Sequence, residues 1–350
     1  MPSTQEFRRR IKSVNNTKQI TKAMQMIASI KMQKATRFAN AARSYTQNAW
    51  NMLLKLAKLT LPQNHPLISP REVKKVAVIL ITSDRGLCGA YNSELIKKYI
   101  QFTKSTVILS EAGSSAKSKD PATALAPDKI SPTSTRGRND NMDVIAVGKK
   151  GAEYIRRYGT GNLVAEFPGF ENEIEVANIL PLSKLTSDEY LAGKYDRVFV
   201  IYSHFESSLK QIPVAKQILP IVSNHIDKPE LWERDPSVIL STFDKLSVNS
   251  AKNPRDPSAE PQDDNGRYRF EPSADAVFEG ILQQFLKVQI YGAVLEANAS
   301  EHSARMFAMQ NATDNASDLI SELQLVYNTV RQGNITREIA EISGAAEAMK

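Results

Sequence analysis

Cysteine is nearly absent from this chain of 350 residues, since Cys88 is its single thiol. One thiol cannot form an internal disulfide or a cluster of thiolate ligands, and a reducing compartment suits such a composition. The four histidines show none of the spacings typical of metal ligands; they are His65, His204, His225 and His302. No apolar run reaches the ~18 to 20 residues that a bilayer crossing requires. The sequence therefore predicts neither a metal site nor a membrane-spanning segment, and it suggests no cofactor.

Proline and glycine are missing from both ends of the chain. Pro2 is the one proline before residue 62, none follows residue 272, and no glycine precedes Gly86. Because proline costs about 3 kcal/mol in a helix interior, both ends can form very long helices. Ser3 followed by Glu6 is a capping box, which is typical of a helix start. We expect helices over residues 3 to about 58 and 273 to about 346.

Both terminal segments carry an apolar stripe at helical spacing, as in Ile20, Met24 and Ile27. Their charges are opposite. Residues 3–61 hold twelve Lys or Arg against the single acid Glu6, whereas residues 273–350 hold five basic and ten acidic residues. The simplest way to bury both stripes is for the two helices to pack together as a long antiparallel coiled coil.

The middle of the chain has the pattern of a small α/β domain. Three apolar runs rich in β-branched residues are typical of parallel strands buried on both faces; they are residues 76–82, 144–147 and 198–202. Three neighbouring segments fit helices; they are residues 93–104, 149–158 and 211–225. The alternation predicts a Rossmann-like, doubly wound domain with a parallel sheet.

These patterns divide the chain into three parts, which are 1–61 (first long helix), 62–272 (globular domain) and 273–350 (second long helix). Within the globular domain, residues 110–141 and 249–267 are polar and almost free of large apolar side chains. We expect two flexible insertions there.

A turn with the outline of a phosphate-binding loop follows the first predicted strand. It reads Ser83-Asp84-Arg85-Gly86-Leu87-Cys88-Gly89, and amides at the start of a helix bind anions. The spacing matches neither GxGxxG nor GxxxxGKS/T, and the segment Gly148-Lys149-Lys150-Gly151 lacks the upstream glycine and the hydroxyl residue of a nucleotide site. Two interpretations stay open: a nucleotide-binding loop, or a structural turn whose glycines permit a tight strand exit.

We find no residues with the spacing of an enzyme active site. Cys88 has no histidine near it in sequence to activate it, so a small buried apolar side chain is the better interpretation. His204, and Asp84 with Asp196, are more typical of strand ends than of an acid and a base. We expect no catalytic site in this chain.

The basic first helix leaves one other function open, because its charges could follow a nucleic acid backbone; these residues are Arg8, Arg9, Arg10, Lys12, Lys18, Lys22, Lys31, Lys34, Arg37 and Arg43. Aromatic side chains for base stacking are few, and no known reader motif is present. The alternative is a helix that faces solvent or another protein, with Met24, Met26 and Met32 in its core or contact surface.

Three segments, taken in order, resemble the gamma subunit of the F-type rotary ATP synthase. Residues 11–34 (IKSVNNTKQITKAMQMIASIKMQK) are similar to the first helix of that family, and residues 83–92 (SDRGLCGAYN) to its strand-exit motif. Residues 312–346 (ATDNASDLISELQLVYNTVRQGNITREIAEISGAA) are similar to its C-terminal signature. The resemblance extends over nearly the whole chain. In the strand-exit motif it singles out Asp84, Arg85, Gly86 and Gly89.

The resemblance implies a central rotor shaft. The helical pair would turn inside a ring of alpha and beta subunits, with the globular domain against the epsilon subunit and the c-ring. Proton-driven rotation would then be coupled to ATP synthesis or hydrolysis in the ring, whose subunits would supply the catalytic residues. The resemblance also implies that Arg331 and Gln332 contact a beta-subunit loop and that Met24 lies where the shaft approaches a beta subunit. It implies neither a nucleic acid partner nor direct insertion into the membrane.

The resemblance, together with a first segment that has no apolar core of a secretory signal and no transit peptide, favours a peripheral position at the cytoplasmic face of a bacterial plasma membrane. Both predicted insertions are longer than in compact bacterial members of the family. The second lies near the place where plant chloroplast members carry a redox-switch segment. With Cys88 as the sole thiol, no dithiol switch can operate here.

Overall fold

The computed structural model describes residues 4–60, 65–69, 71, 73–114, 142–170, 174–221 and 274–349. Within these residues the helices are α1 (Thr4–Thr60), α2 (Tyr91–Ser114), α3 (Lys149–Tyr158), α4 (Val176–Leu191) and α5 (Ala274–Ala348). The strands are β1 (Val76–Ile81), β2 (Met142–Val147), β3 (Asn162–Phe167), β4 (Arg197–Phe205) and β5 (Gln211–Leu219).

The two long helices, α1 and α5, run antiparallel along each other. Arg8 contacts Tyr327, Thr21 contacts Thr313 and Arg43 contacts Glu296, so residue numbers fall along α5 as they rise along α1. The predicted antiparallel helical pair is confirmed. By this register Thr4 lies opposite residue 331, and the rest of α5 extends roughly 25 Å beyond the start of α1 at 1.5 Å per residue.

The five strands form one sheet in the order β3-β2-β1-β4-β5. The first four strands are parallel, and β5 runs antiparallel to β4. Side chains alternate across β1 and enter two cores. Ala77 and Ile79 pack on the side of α4 and α5, whereas Val78 and Leu80 pack on the side of α2 and α3. The long helix α5 is therefore part of the core of the sheet domain as well as of the helical pair.

The predicted helix at 211–225 is wrong. Residues Gln211–Leu219 are β5, which forms a hairpin with β4 closed by a hydrogen bond from the amide of Ser207 to the carbonyl of Lys210. Pro213 fits there because β5 lies at the edge of the sheet, where a residue without an amide proton is tolerated. The sheet is thus mixed where we expected a parallel one. Strand β3 and helix α4 were not predicted.

Helix α2 continues to Ser114, so the first residues of the predicted insertion 110–141 are helical. Three parts of the sequence predictions lie outside the described residues. They are residues 115–141 of the first insertion, the whole of the insertion 249–267, and the capping residue Ser3. The division of the chain at 61/62 and 272/273 stays a prediction. None of the helices in the described part combines the length and apolar character that a bilayer crossing requires.

Candidate functional site

The strand-exit motif begins with a carboxylate that joins three elements of the sheet domain. Asp84 follows β1, and its Oδ1 accepts a hydrogen bond from the amide of Lys149 at the start of α3 (2.9 Å). Its Oδ2 accepts one from the amide of Gly169, just after β3 (3.0 Å). One side chain therefore ties together the carboxyl-end loops of β1, β2 and β3.

The residues before Asp84 complete the start of α3. The carbonyl oxygen of Ser83 accepts from the amide of Lys150 (3.1 Å), and Oγ1 of Thr82 accepts from the amide of Gly151 (2.9 Å). The first amides of a helix have no partner within the helix, and here the exit of β1 supplies all three acceptors. These are the amides that a bound phosphate would need. In this structure they are already bonded to the chain's own oxygens, which favours the structural turn over the nucleotide-binding loop.

Close backbone approach explains the glycines of the second segment. Gly148 has φ +92°, and a β-carbon there would lie 2.1 Å from the carbonyl oxygen of Thr82. A β-carbon on Gly151 would lie 2.9 Å from the Thr82 hydroxyl oxygen, and one on Gly169 would lie 2.8 Å from the Asp84 carboxyl carbon. Of the motif glycines, Gly89 has φ +59°, whereas Gly86 is exposed with open space around it. Arg85 is exposed next to it.

The rest of the motif packs against the long helix α5. The hydroxyl of Tyr91 donates to the carbonyl of Ala297 on α5 (3.1 Å). Asn92 bonds both the amide of Ser83 (3.1 Å) and, through its Nδ2, the Ser83 hydroxyl (2.7 Å). The motif therefore fixes the loop between β1 and α2 and attaches it to α5.

Cys88 is buried within this loop. Burial raises the pKa of the Cys88 thiol above its ordinary value, although a hydrogen-bonding contact with Ser83 opposes the effect. A thiol that stays protonated is a poor nucleophile, so the structure supports the interpretation of Cys88 as a small buried side chain. In the part of the chain that the structure describes, no three His, Cys, Asp or Glu side chains could hold a metal ion.

An open cavity of about 380 Å³ lies between the strand-exit loop, the β4–β5 hairpin and α5. Its lining is mixed, with Leu209 and Phe307 beside Glu94, Lys210 and Asn311. Leu209 is 79% exposed at the rim. The cavity places no pair of carboxylates and no activated nucleophile together, so its lining does not define an active site.

The shaft residues singled out by resemblance lie at two heights along the helical pair. Arg331 and Gln332 are exposed on α5 at the level of Thr4, where the pair gives way to a single helix. Met24 is 38% exposed on α1 and lies opposite residue 310 of α5. At 1.5 Å per residue, this is roughly 30 Å from Arg331 along the helical pair, on the side of the sheet domain. The structure therefore does not bring Met24 together with Arg331. It does bring Met24 to the level of Ala308, which the strand-exit residue Gly89 approaches.

Several basic residues of α1 are engaged within the protein. Arg8 donates to the hydroxyl of Tyr327 (3.0 Å), Arg10 pairs with Glu6 (2.7 Å) and Arg43 pairs with Glu296 (2.9 Å). These contacts favour the protein-facing interpretation of the helix over a nucleic acid track.

Sequence reasoning missed Thr82 and Gly169 as partners of the motif. The only sequence signal for Thr82 is its place as the last residue of the first predicted strand, 76–82. Gly169 could not be identified because it follows β3, a strand that was not predicted. Its contact with Asp84 spans 85 positions of sequence, which no local pattern reveals.

The protein is a long antiparallel helical pair rooted in an α/β domain, in which the first amides of α3 are bonded to the chain's own oxygens. Comparison with known proteins gives this class a family. A family model described as ATP synthase matches residues 3–349. The ATP synthase gamma chains of Pelotomaculum thermopropionicum and Heliobacterium modesticaldum are each 34% identical, over the full length of both chains. That of Roseiflexus castenholzii is 35% identical and covered to 99%. The chain belongs to the ATP synthase gamma chain family.

The fold has a counterpart among solved structures. The central stalk and c-ring structure of the mitochondrial ATP synthase of Tetrahymena thermophila contains a chain that matches 84% of this one and is itself covered to 99%, with a TM-score of 0.51 and 20% identity. At 20% identity this match shows a shared fold alone.

Proposed function

We propose that this chain is the central rotor shaft of an F-type ATP synthase. One observation carries the proposal: in a chain that matches the gamma chain family from end to end, α1 and α5 form a single antiparallel pair that rises from the sheet domain. Two paired helices resist bending and twisting better than one, as a shaft must. The pair and the sheet domain share α5, so torque applied to the domain reaches the shaft through one continuous helix.

The proposed partners follow from the two ends of the molecule. The tip of the shaft turns inside the ring of alpha and beta subunits, where Arg331 and Gln332 contact a beta-subunit loop and Met24 faces a beta subunit lower down. The sheet domain lies against the epsilon subunit and the c-ring. The excess positive charge of the first helix favours acidic loops of the surrounding ring.

The shaft acts by shape. Its asymmetric surface imposes different conformations on three catalytic sites of the ring, and this couples proton-driven rotation to ATP synthesis or hydrolysis. No bond is made or broken in this chain, and the catalytic residues belong to the ring. The complex holds the chain at the cytoplasmic face of the bacterial plasma membrane as a peripheral subunit.

Reconstitution tests the proposal. Membranes of the source organism that lack this chain are expected to pump no protons on ATP addition, and assembly with the purified full-length chain is expected to restore pumping. The isolated chain is expected to hydrolyse no ATP. Matched reconstitution with bovine serum albumin controls for nonspecific effects.

Either of two results would overturn the proposal. One is ATP hydrolysis by the purified chain alone. The other is ATP-driven pumping that is equally strong in membranes with and without the chain. A third measurement addresses the rival function: duplex DNA binding by the isolated chain that weakens steeply with salt would favour a nucleic acid role.

A further inference from the structure

Glu296 is a charged side chain at the junction between the shaft and the sheet domain. It lies on α5, and only 13% of its side chain is exposed. Its Oε1 accepts a hydrogen bond from the Arg43 guanidinium of α1 at 2.9 Å. Its Oε2 lies 2.6 Å from Nδ1 of His204 on β4. One carboxylate thus joins both long helices to the carboxyl end of strand β4.

The titratable and charged groups that act on Glu296 come from α1, β4 and β5. Burial by itself raises the pKa of Glu296, but hydrogen bonds from His204 and Arg43 outweigh it, so the net pKa lies below its ordinary value. An ionised carboxylate only accepts hydrogen bonds, so Nδ1 of His204 is the donor. Strand β5 adds Lys216. Burial lowers the pKa of Lys216 below its ordinary value, although the charge of Glu296 opposes the shift. Tyr202 of β4 is buried beside the same carboxylate.

Apolar packing and a shielded charge both act where α5 meets the sheet. The α5 side chains on either side of Glu296 that enter the core include Val294 and Leu295 as well as Ala293 and Ala297, all of them buried. Apolar packing is non-directional, because its free energy follows the area removed from water. A carboxylate in a shielded position is directional, because its oxygens must meet their donors. If α5 turned by one residue, Glu296 would leave both partners, and a buried charge without partners is strongly unfavourable.

We propose that Glu296 sets the register between the shaft and the sheet domain, so that rotation of the domain is transmitted to the shaft without slip. The inference rests on the proposed rotor function. It assigns to Glu296 the role of a positioning residue, which acts through Arg43 and His204. Packing of the apolar core supplies most of the binding energy, and the carboxylate selects one angular position. This is the register-setting role that buried polar groups have in other helical assemblies.

Glu296→Gln tests the inference, since it keeps the shape of the side chain and removes its charge. The amide oxygen can accept from Arg43 or from His204 but cannot serve both, and the negative charge that faces the two partners is gone. In the reconstituted complex, we expect the protons pumped per ATP hydrolysed to fall about threefold, the scale of single-residue effects on coupling, while hydrolysis itself continues. A purely structural role would lower hydrolysis and pumping together by reducing the amount of assembled complex.

Glu166→Gln is the matched control. Glu166 forms a carboxylate–guanidinium pair with Arg156, which joins α3 to β3 inside the sheet domain and does not touch the shaft. We expect this variant to keep the wild-type ratio. An unchanged ratio in Glu296→Gln, or an equal loss in Glu166→Gln, overturns the inference.

Two further measurements keep the test decisive. If Glu296→Gln does not assemble, Arg43→Gln and His204→Ala each remove one partner at partly exposed positions, and wild-type ratios in both would overturn the inference. Amide hydrogen exchange on the isolated full-length chain does not depend on rotor function. We expect Glu296→Gln to speed exchange in α5 around residues 293–303, compared with wild type, and to leave exchange around Thr313 unchanged. If exchange in both regions were the same in the variant as in wild type, a register role would be contradicted. Failure of the wild-type chain to restore pumping, by contrast, refutes the proposed function itself.

Discussion

Thr21 and Thr313 face each other across the two long helices, with their hydroxyl oxygens 2.8 Å apart. Thr313 is buried, and Thr21 is half-buried. Each hydroxyl also lies within hydrogen-bond distance of a carbonyl on its own helix, Lys18 for Thr21 and Met309 for Thr313. A hydroxyl pair that meets across two helices is satisfied in one register only, so it helps to set how far one helix is displaced along the other.

A double-mutant cycle checks this contact. We expect Thr21→Val and Thr313→Val each to lower the free energy of unfolding by about 1 kcal/mol, because each leaves a shielded hydroxyl without its cross-helix partner. The double variant should lose less than the sum, with a coupling energy of about 0.5–1.5 kcal/mol from urea unfolding. Strict additivity would mean that the two hydroxyls do not interact in solution.

Gly148 should tolerate no side chain. Its positive φ and the 2.1 Å separation of a β-carbon from the Thr82 carbonyl oxygen mean that Gly148→Ala requires the backbone to shift. We expect a loss of at least about 2 kcal/mol in unfolding free energy. The control is Gly280→Ala on α5, where a β-carbon meets nothing within 4 Å. There alanine should stabilise the helix by about 0.5–1 kcal/mol. Equal effects of the two substitutions on the urea midpoint would contradict the geometry.

The two hydrogen bonds that Asp84 accepts should contribute to the free energy of unfolding. Asp84→Ala leaves the amides of Lys149 and Gly169 without their acceptor, and the loss should be about 1–3 kcal/mol in unfolding free energy. Asp188→Ala is the control, since Asp188 is exposed on α4 and an exposed substitution typically changes stability by about 0.5 kcal/mol or less. If added inorganic phosphate stabilised wild-type protein at millimolar concentration, the closed anion site would be open to ligands after all.

His302 should make the protein sensitive to mild acid. It is 5% exposed on α5, and burial, assisted by the positive charges of Arg305 and Lys31, lowers the pKa of His302 to about 3. Histidine in an unfolded chain titrates near about 6.5, so between these values the unfolded state binds the additional proton. Stability therefore falls as the pH drops from about 6.5 toward 3.

From this residue we expect a loss of about 2 kcal/mol between pH 7 and pH 5. Urea unfolding of wild type and His302→Gln at both pH values measures it, and the variant should lose correspondingly less than wild type. The same loss in both proteins would show that other groups cause the acid sensitivity.

Positive charge on α1 should matter for assembly or coupling. Lys18 and Lys22 lie on α1 within the segment that is similar to the family's first helix. We expect reversal of charge, with Lys18→Glu and Lys22→Glu and then with Lys31 and Lys34 reversed as well, to weaken assembly with the ring or to lower ATP-driven proton pumping. Lys97→Glu, on the exposed side of α2, is the control. Unchanged pumping in the reversed variants would argue against acidic loops as their partners.

The sequence predicted the long helices well because their signals are local. Proline-free ends, a repeating apolar stripe and opposite charges at 3–61 and 273–350 all describe single segments, and the antiparallel pair follows from them. The edge strand β5 was predicted as a helix because Gln211–Leu219 has no strict alternation of polar and apolar residues. Its strand conformation comes from hydrogen-bonded pairing with β4, which the residue pattern of Gln211–Leu219 does not show by itself.

The strand-exit motif, too, was predictable from sequence only in part. Its residues were identified from sequence by resemblance, and the open question was whether the turn holds a phosphate or serves the fold. The position of the Asp84 carboxylate against the amides of Lys149 and Gly169 answers in favour of the fold. Those contacts span 65 and 85 positions of sequence.

By itself, then, the sequence determined the helix lengths, the absence of internal disulfides and the resemblance to a family of rotor shafts, because propensity, composition and motif depend on neighbours along the chain. Tertiary structure alone decided that Asp84 closes the anion site, that Met24 and Arg331 lie far apart along one shaft, and that Glu296 meets Arg43 and His204. Each of these is a spatial relationship between residues distant in sequence, and it depends on burial and geometry that exist only once the chain has folded.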